Sequence, residues 1–269
     1  LDLCGDGAYR NFVRSKSLVA RSAAELAGLI PPGAAVISLG CGQGDKDLLL
    51  LQALAACDKS PRYVPVDSSQ ALLEMACRSA LDAGMDVRGV KGDFTDPAHL
   101  EWAVSGSPGP KVAVMLGNTL GCLDPIASCP RFANLLGPDD LLLLDGEIHG
   151  PETFAGYDNP INRRFAWAPL NSVGITEADG ELVFEQRPDP RTDGLYMITK
   201  HFRASRPFTA AISGQFLEFG AGDTVEMNHS YKYSPEALER LLIRAGLEVS
   251  WRAAADDGRF AMVLAGRGR

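Results

Sequence analysis

Three glycines at alternate positions, Gly40, Gly42 and Gly44, follow a short apolar run and open an amphipathic helix in VISLGCGQGDKDLLLLQAL, residues 36–54. Glycine leaves no side chain between the backbone and a ligand and permits positive φ, while the first turn of the helix offers N–H groups to anionic or polar atoms. This is the chemistry of a nucleotide-type cofactor loop. The spacing is G-x-G-x-G, not the G-x-G-x-x-G of dinucleotide binders, and an ordinary tight strand-to-helix turn uses the same residues.

Other chemistry-bearing residues follow apolar runs in the same way: Asp67, Gly92-Asp93-Phe94, Gly117-Asn118 and Asp145-Gly146. The elements that must position them alternate. The first thirty residues read as helix and end at Pro31-Pro32-Gly33. Strands are expected at 35–39, 63–66, 87–91, 112–116 and 141–144, with helices at 45–57, 68–83, 97–104 and 125–136. Repeated βα units with near-continuous apolar strands imply an α/β fold with a parallel sheet covered on both faces. In such a sheet the ligand crevice lies at the carboxyl ends of the strands, where these residues fall.

The alternation stops after Asp145. Residues 147–225 are richer in Pro, Asn and aromatic residues, with strand-like pieces at 182–186, 196–204 and 215–219. The core pattern resumes with Ser234-Pro235-Glu236 and a helix that stops at Ala245-Gly246. Two strands, 247–251 and 260–264, then flank the turn signal Asp256-Asp257-Gly258. The expected organisation is a Rossmann-like core from residues 31–146 and 229–269, an inserted α+β substrate lobe from 147–228, and a helical part of that lobe from 1–30.

A chain of 269 residues with net charge −8 and no Lys/Arg-rich run is not built for nucleic acid. Arg163-Arg164 is its one adjacent basic pair and reads as a solvated loop. The six cysteines, Cys4, Cys41, Cys57, Cys77, Cys122 and Cys129, form no C-x-x-C pair, which points to a reducing compartment and to no metal site. No charged-then-apolar leader opens the chain, and runs such as 48–51 and 141–144 are too short to span a bilayer. The expectation is a cytoplasmic enzyme for a small molecule, with no membrane or nucleic-acid partner; the sequence leaves the oligomeric state open, and a monomer is compatible with it.

Six motifs in one order carry a family resemblance: LGCGQGDK (39–46), YVPVDSS (63–69), VRGVKGDF (87–94), VAVMLGNTLG (112–121), LLLLDGEIHGPETFAGYDN (141–159) and NHSYKYSPEALERLLIRAGLEV (228–249). Together they resemble the histidine-specific methyltransferase family. The resemblance implies a class I methyltransferase fold, a parallel sheet ending in an antiparallel hairpin, and S-adenosyl-L-methionine as cofactor. It implies that Gly40, Gly42 and Gly44 pass the cofactor backbone, that Lys46 meets its carboxylate, and that Asp67, with Ser68 beside it, takes the ribose hydroxyls. Asp67 also reads as a helix N-cap. Asp93 and Phe94 would hold adenine, Phe94 reading equally as core, and Gly117 and Asn118 would face the methionine portion.

The acceptor side departs from the family pattern. The family holds its imidazole with an acidic residue and a Ser two positions later; Asn228 and Ser230 stand there in this chain. Glu226 shares their face if the segment is regularly extended, and is expected to substitute only with a shift of the acceptor. Cys122 stands where the family has an Asn that grips the substrate carboxylate, and Tyr157 matches its substrate-binding Tyr. Tyr9, Phe12 and Lys16 fall near its aromatic lid, though helix packing accounts for them as well. The implied activity is N-methylation of an amino acid or a close derivative other than histidine, with no dedicated catalytic base. Methylation of oxygen, sulfur or a ring nitrogen, and a silent cofactor-binding subunit, are the alternatives. A dinucleotide oxidoreductase fits the glycine spacing less well.

Overall fold

The computed structural model describes residues 10–268. The chain divides into two compact units: one holds the described residues up to Leu120, Asp124–Ile148 and those from Pro235 onward, and the other holds Gly121–Leu123 and His149–Ser234.

The first unit contains α1 (Arg10–Leu29), β1 (Ala35–Leu39), α2 (Asp45–Ala56), β2 (Arg62–Asp67), α3 (Gln70–Asp82), β3 (Asp86–Val87), β4 (Val90–Lys91), α4 (Pro97–Ser105), β5 (Lys111–Met115), α5 (Pro125–Leu135) and β6 (Leu141–Glu147). After the second unit come α8 (Pro235–Arg244), β12 (Leu247–Ala254) and β13 (Phe260–Arg267). The sheet runs β12-β13-β6-β5-β1-β2-β3, with β4 also on β2. Strands β1, β2, β5 and β6 pair in parallel, while β13 runs antiparallel to both β6 and β12. This parallel sheet with a terminal antiparallel hairpin is the class I methyltransferase fold. Its central strands are apolar on both faces, as strands covered on both sides must be: all of β1 is buried, and Leu142, Leu143 and Leu144 are fully so. Asp96-Pro97 and Asp124-Pro125 start α4 and α5, each aspartate accepting a backbone N–H in the first turn.

Two expectations change here. Helix α1 belongs with the sheet, not with the inserted lobe, because Leu18, Val19, Leu26, Ala27 and Ile30 pack into one core with Val36, Leu50, Leu54, Val112 and Met262. The expected strand at 87–91 is two short pieces. Between them the Arg88 guanidinium turns away to the Ala103 carbonyl, and Gly89 lies so close to α3 that a Cβ would sit 2.6 Å from Cys77 Sγ.

The second unit contains α6 (Thr153–Tyr157), α7 (Pro160–Ser172), β7 (Gly180–Pro188), β8 (Leu195–Ala204), β9 (Phe208–Ile212), β10 (Gln215–Phe219) and β11 (Thr224–Tyr233). Strands β11, β8 and β7 form an antiparallel sheet and β9 pairs with β10 in a hairpin. Ala166, Trp167 and Leu170 of α7 pack on Leu182, Phe184, Phe202 and Ala204. The Arg163-Arg164 pair therefore lies on a helix, not a solvated loop. Asn159 caps that helix, and Arg163 bonds Asp158 and the Leu182 carbonyl. The boundary drawn at 228/229 falls inside β11, so this unit continues to Ser234. Among the described residues no helix is long and apolar enough to cross a membrane.

Candidate active site

In the first unit the glycine loop joins β1 to α2. Gly40, Gly42 and Gly44 all adopt positive φ, and Gly44 is the N-cap of α2 without a side-chain cap, so the first N–H groups of that helix face outward from a left-handed turn. A Cβ at Gly40 would lie 3.2 Å from Phe94 Cε1 and 3.1 Å from Thr119 Cγ2. Phe94 thus covers the loop from the end of the β4 segment, half-buried.

Asp67, at the end of β2, holds this loop. Its Oδ2 accepts from the Gly42 N–H at 2.9 Å and its Oδ1 from the Ser69 N–H at 2.8 Å. A carboxylate has about four lone-pair sites, so both oxygens keep capacity for two further donors such as vicinal hydroxyls. The N-cap of α3 is Ser69, whose Oγ accepts from Leu72, and not Asp67; Ser68 lies exposed between them. Asp93 Oδ1 accepts from the Thr95 N–H and hydroxyl, and these bonds hold its carboxyl below the usual range. Its Oδ2 makes no hydrogen bond among the described residues and can accept from an amine.

At the end of β5, Gly117 (φ 90°) and Asn118 (φ 62°) form a left-handed turn whose two N–H groups donate to Asp145 Oδ1 at 2.7 and 2.8 Å. A Cβ at Gly117 would lie 2.4 Å from Lys46 Nζ, so glycine is what lets Lys46 reach this strand end. Asn118 turns its side chain to the Glu147 N–H. Lys46 Nζ also lies 5.5 Å from the Phe12 ring centre, and Lys16 pairs with Asp45 at 3.7 Å. Phe12 and Lys16 are therefore neighbours of the loop; Tyr9 lies outside the described residues.

The sequence placed Asp145 among the strand-end residues without giving it a role, and did not single out Asp47 or Tyr63. Tyr63 donates to Asp47 at 2.6 Å beneath the loop, and a Cβ at Gly44 would meet the Tyr63 oxygen at 3.3 Å. Burial pushes the Asp47 and Asp145 carboxyls up, opposed at Asp47 by hydrogen bonds from Ser38 and Tyr63 and at Asp145 by the Lys46 charge. Their signal was a buried acid after an apolar run or inside an apolar helix face.

In the second unit, two of the residues expected on the acceptor side, Asn228 and Ser230, share one face of the sheet. Asn228, Ser230 and Lys232 alternate along β11, opposite Lys200, Ile198 and Tyr196 of β8. The Tyr157 and Ser230 hydroxyls lie 3.2 Å apart, Lys232 Nζ donates to Ser230 Oγ at 2.8 Å, and the same ammonium sits 4.6 Å from the Tyr157 ring centre. The surrounding protein raises the Cys122 thiol although the residue as a whole is exposed, and Lys232 and Lys200 pull it back. Glu226 is not on this face. The pairing slips between Glu226 and Asn228, a β-bulge that turns Glu226 to the opposite side, where it bonds His229 Nδ1 at 2.8 Å. Lys200 and Lys232 went unnamed in the sequence; the alternation N-x-S-x-K was the available signal for Lys232.

The first unit gathers at its strand ends three left-handed glycines, the Lys46 ammonium, the Asp67 and Asp93 carboxylates and the Phe94 ring, a set of donors, acceptors and close-approach positions whose chemistry suits S-adenosylmethionine. A family model described as "histidine-specific methyltransferase, SAM-dependent" matches residues 8–159 and 192–267. Ergothioneine biosynthesis protein 1 of Neurospora crassa is 26% identical over 242 residues, covering 86% of this chain, and the chain spans only 27% of that longer protein. Histidine N-alpha-methyltransferase of Mycobacterium tuberculosis is 27% identical over 246 residues, 86% of this chain and 75% of that protein. N-methyltransferase dtpB of Aspergillus flavus is 30% identical over 113 residues, 40% of this chain and 31% of that protein. The chain belongs to the S-adenosylmethionine-dependent, histidine-specific methyltransferase family.

Proposed function

We propose that this protein is an S-adenosylmethionine-dependent N-methyltransferase of an amino acid or amino-acid-derived small molecule other than histidine. The cofactor supplies an electrophilic methyl group on a sulfonium, to be taken by the lone pair of a neutral amine as the carbon–sulfur bond breaks toward sulfur. The chain's task is then to hold and orient. Gly40, Gly42, Gly44, Lys46, Asp67, Ser68, Asp93, Phe94, Gly117 and Asn118 serve the cofactor, and Tyr157, Ser230, Asn228 and Cys122 serve the acceptor. Positioning is the dominant requirement of such a displacement. An aliphatic amine supplies its own neutral fraction, and no side chain is assigned as base.

The observation that carries the choice of acceptor is Asn228 facing Lys200 across the β11–β8 ladder. An amide beside an ammonium is a poor host for an imidazole, which pairs best with a carboxylate. Relatives named for N-methylation support the amine as acceptor. A mass-spectrometric screen of amino acids and amines with S-adenosylmethionine tests the reading. One methylated amino acid or amine in preference to histidine supports it, and its mass gives the number of methyl groups. Exclusive methylation of oxygen or sulfur, or of histidine, refutes it.

A further inference from the structure

Lys200 sits in the central strand of the second unit's sheet, 9% exposed, between Phe184 of β7 and Asn228 of β11. Lysine is almost never buried to this extent without a partner. Among the described residues Lys200 makes no hydrogen bond and no ion pair. Its ammonium lies 5.9 Å from the ring centre of Phe165, itself a largely exposed residue. Burial is the main pressure lowering its basicity, the Lys232 ammonium adds to it, and Cys122 is the nearby group that opposes it, one that burial itself holds in the neutral thiol form. Lys232 is more deeply buried but donates to Ser230. The face that holds Ser230 thus carries a buried ammonium, that of Lys200, with no hydrogen bond or ion pair among the described residues.

We infer that the acceptor carries a carboxylate and that Lys200 is its counter-ion, an inference that rests on the methyltransferase reading for the word acceptor. The carboxylate belongs either to the α-position of an amino acid or to an acidic side chain. Both present the same chemistry to Lys200: an anion that converts an uncompensated buried charge into a charge-assisted hydrogen bond.

The test compares wild type, Lys200→Met and Lys200→Arg, each loaded with S-adenosylhomocysteine, by thermal shift and by methyl-transfer kinetics. Probes are acetate, L-tryptophan against tryptamine, and L-glutamate against L-glutamine. Failure of wild type to bind S-adenosylhomocysteine would refute the methyltransferase reading without touching the carboxylate response. Wild type is expected to be stabilised by carboxylates and not by tryptamine. Lys200→Met loses that response and, without ligand, melts above wild type because an uncompensated charge has left the interior. Lys200→Arg keeps the response, which separates a counter-ion from a proton acceptor. For any carboxylate acceptor that is turned over, Lys200→Met raises KM about tenfold or more with a smaller change in kcat. A preference for tryptophan over tryptamine places the carboxylate at the α-position; a preference for glutamate over glutamine places it on the side chain. A Lys200→Met protein that responds as wild type does, or a wild type that responds to no carboxylate, overturns the inference.

Discussion

Ser15 in α1 donates to Asp145 at the end of β6 over 2.5 Å, and the other oxygen of that carboxylate receives the N–H groups of Gly117 and Asn118. One fully buried acid thus ties the first helix to the left-handed turn that lets Lys46 reach the end of β5. Replacement by alanine strands these donors, each at a cost of about 1–3 kcal/mol where it is buried. The Asp145→Asn variant keeps an acceptor for both N–H groups and an amide that Ser15 can accept from.

The pH dependence of this pair follows from burial. The folded-state pKa of Asp145 is raised, so between its unfolded value and that raised value the native state binds more protons than the unfolded one. Stability then falls as pH rises through that window. Asp145→Asn does not titrate, so its stability relative to wild type should improve as pH climbs out of the ordinary carboxylate range, about pH 4, toward neutrality. Urea unfolding across this range reads the difference; a gap independent of pH would refute the assignment.

Gly117→Ala should damage cofactor affinity twice. Its φ of 90° strains an L-residue by about 1–2 kcal/mol, and the new Cβ displaces Lys46 Nζ. Lys46→Met should weaken S-adenosylhomocysteine binding by about 1.5–3 kcal/mol, the range of a hydrogen bond to a charged group. If Gly117 acts through Lys46, the double variant loses less than the sum of the two. Calorimetric titration of all three proteins measures the coupling, and strict additivity would contradict it.

Asp67 has two duties, to the Gly42 and Ser69 N–H groups and, by the proposed reading, to the ribose. Asp67→Ala should weaken S-adenosylhomocysteine binding by at least about 1.5–3 kcal/mol. Asp67→Asn should fall between, since an amide has one accepting oxygen where the carboxylate has two. Unchanged affinity with an intact fold would sink the ribose role.

The sheet and the strand ends bearing Gly40, Asp67, Asp93 and Gly117 were legible because continuous apolar runs followed by Gly or Asp are local signals. Helix α7 was not, although Asn159-Pro160 opens it as Asp96-Pro97 and Asp124-Pro125 open α4 and α5. Its buried stripe is only Ala166, Trp167 and Leu170, interrupted by Arg163-Arg164 before it and Pro169 within it. The face of Glu226 was unreadable for a different reason. Strict alternation puts it with Asn228, and the bulge that reverses it arises from pairing with β8, which no local pattern encodes. The same holds for Lys200: its burial is decided by neighbours on two other strands.

The bulge and Lys200 together sharpen the prediction for specificity. Wild type should methylate histidine poorly, because Glu226 faces His229 and no acidic side chain stands at 228. Installing one by Asn228→Glu places the carboxylate opposite Lys200, where a cross-strand ion pair is worth about 0.2–1 kcal/mol. The single variant should therefore gain stability, lose its native acceptor and recruit histidine only weakly, its new charge being spent on the lysine. Pairing Asn228→Glu with Lys200→Met releases that carboxylate to accept from an imidazole N–H. A charged hydrogen bond of about 1.5–3 kcal/mol then predicts a rise in kcat/KM for histidine of roughly ten- to a hundredfold over the single variant. Competition between histidine and the native acceptor, read by mass spectrometry, checks the ordering. Efficient methylation of histidine by wild type, or by Asn228→Glu with Lys200 intact, would show that Lys200 does not govern the charge of this face.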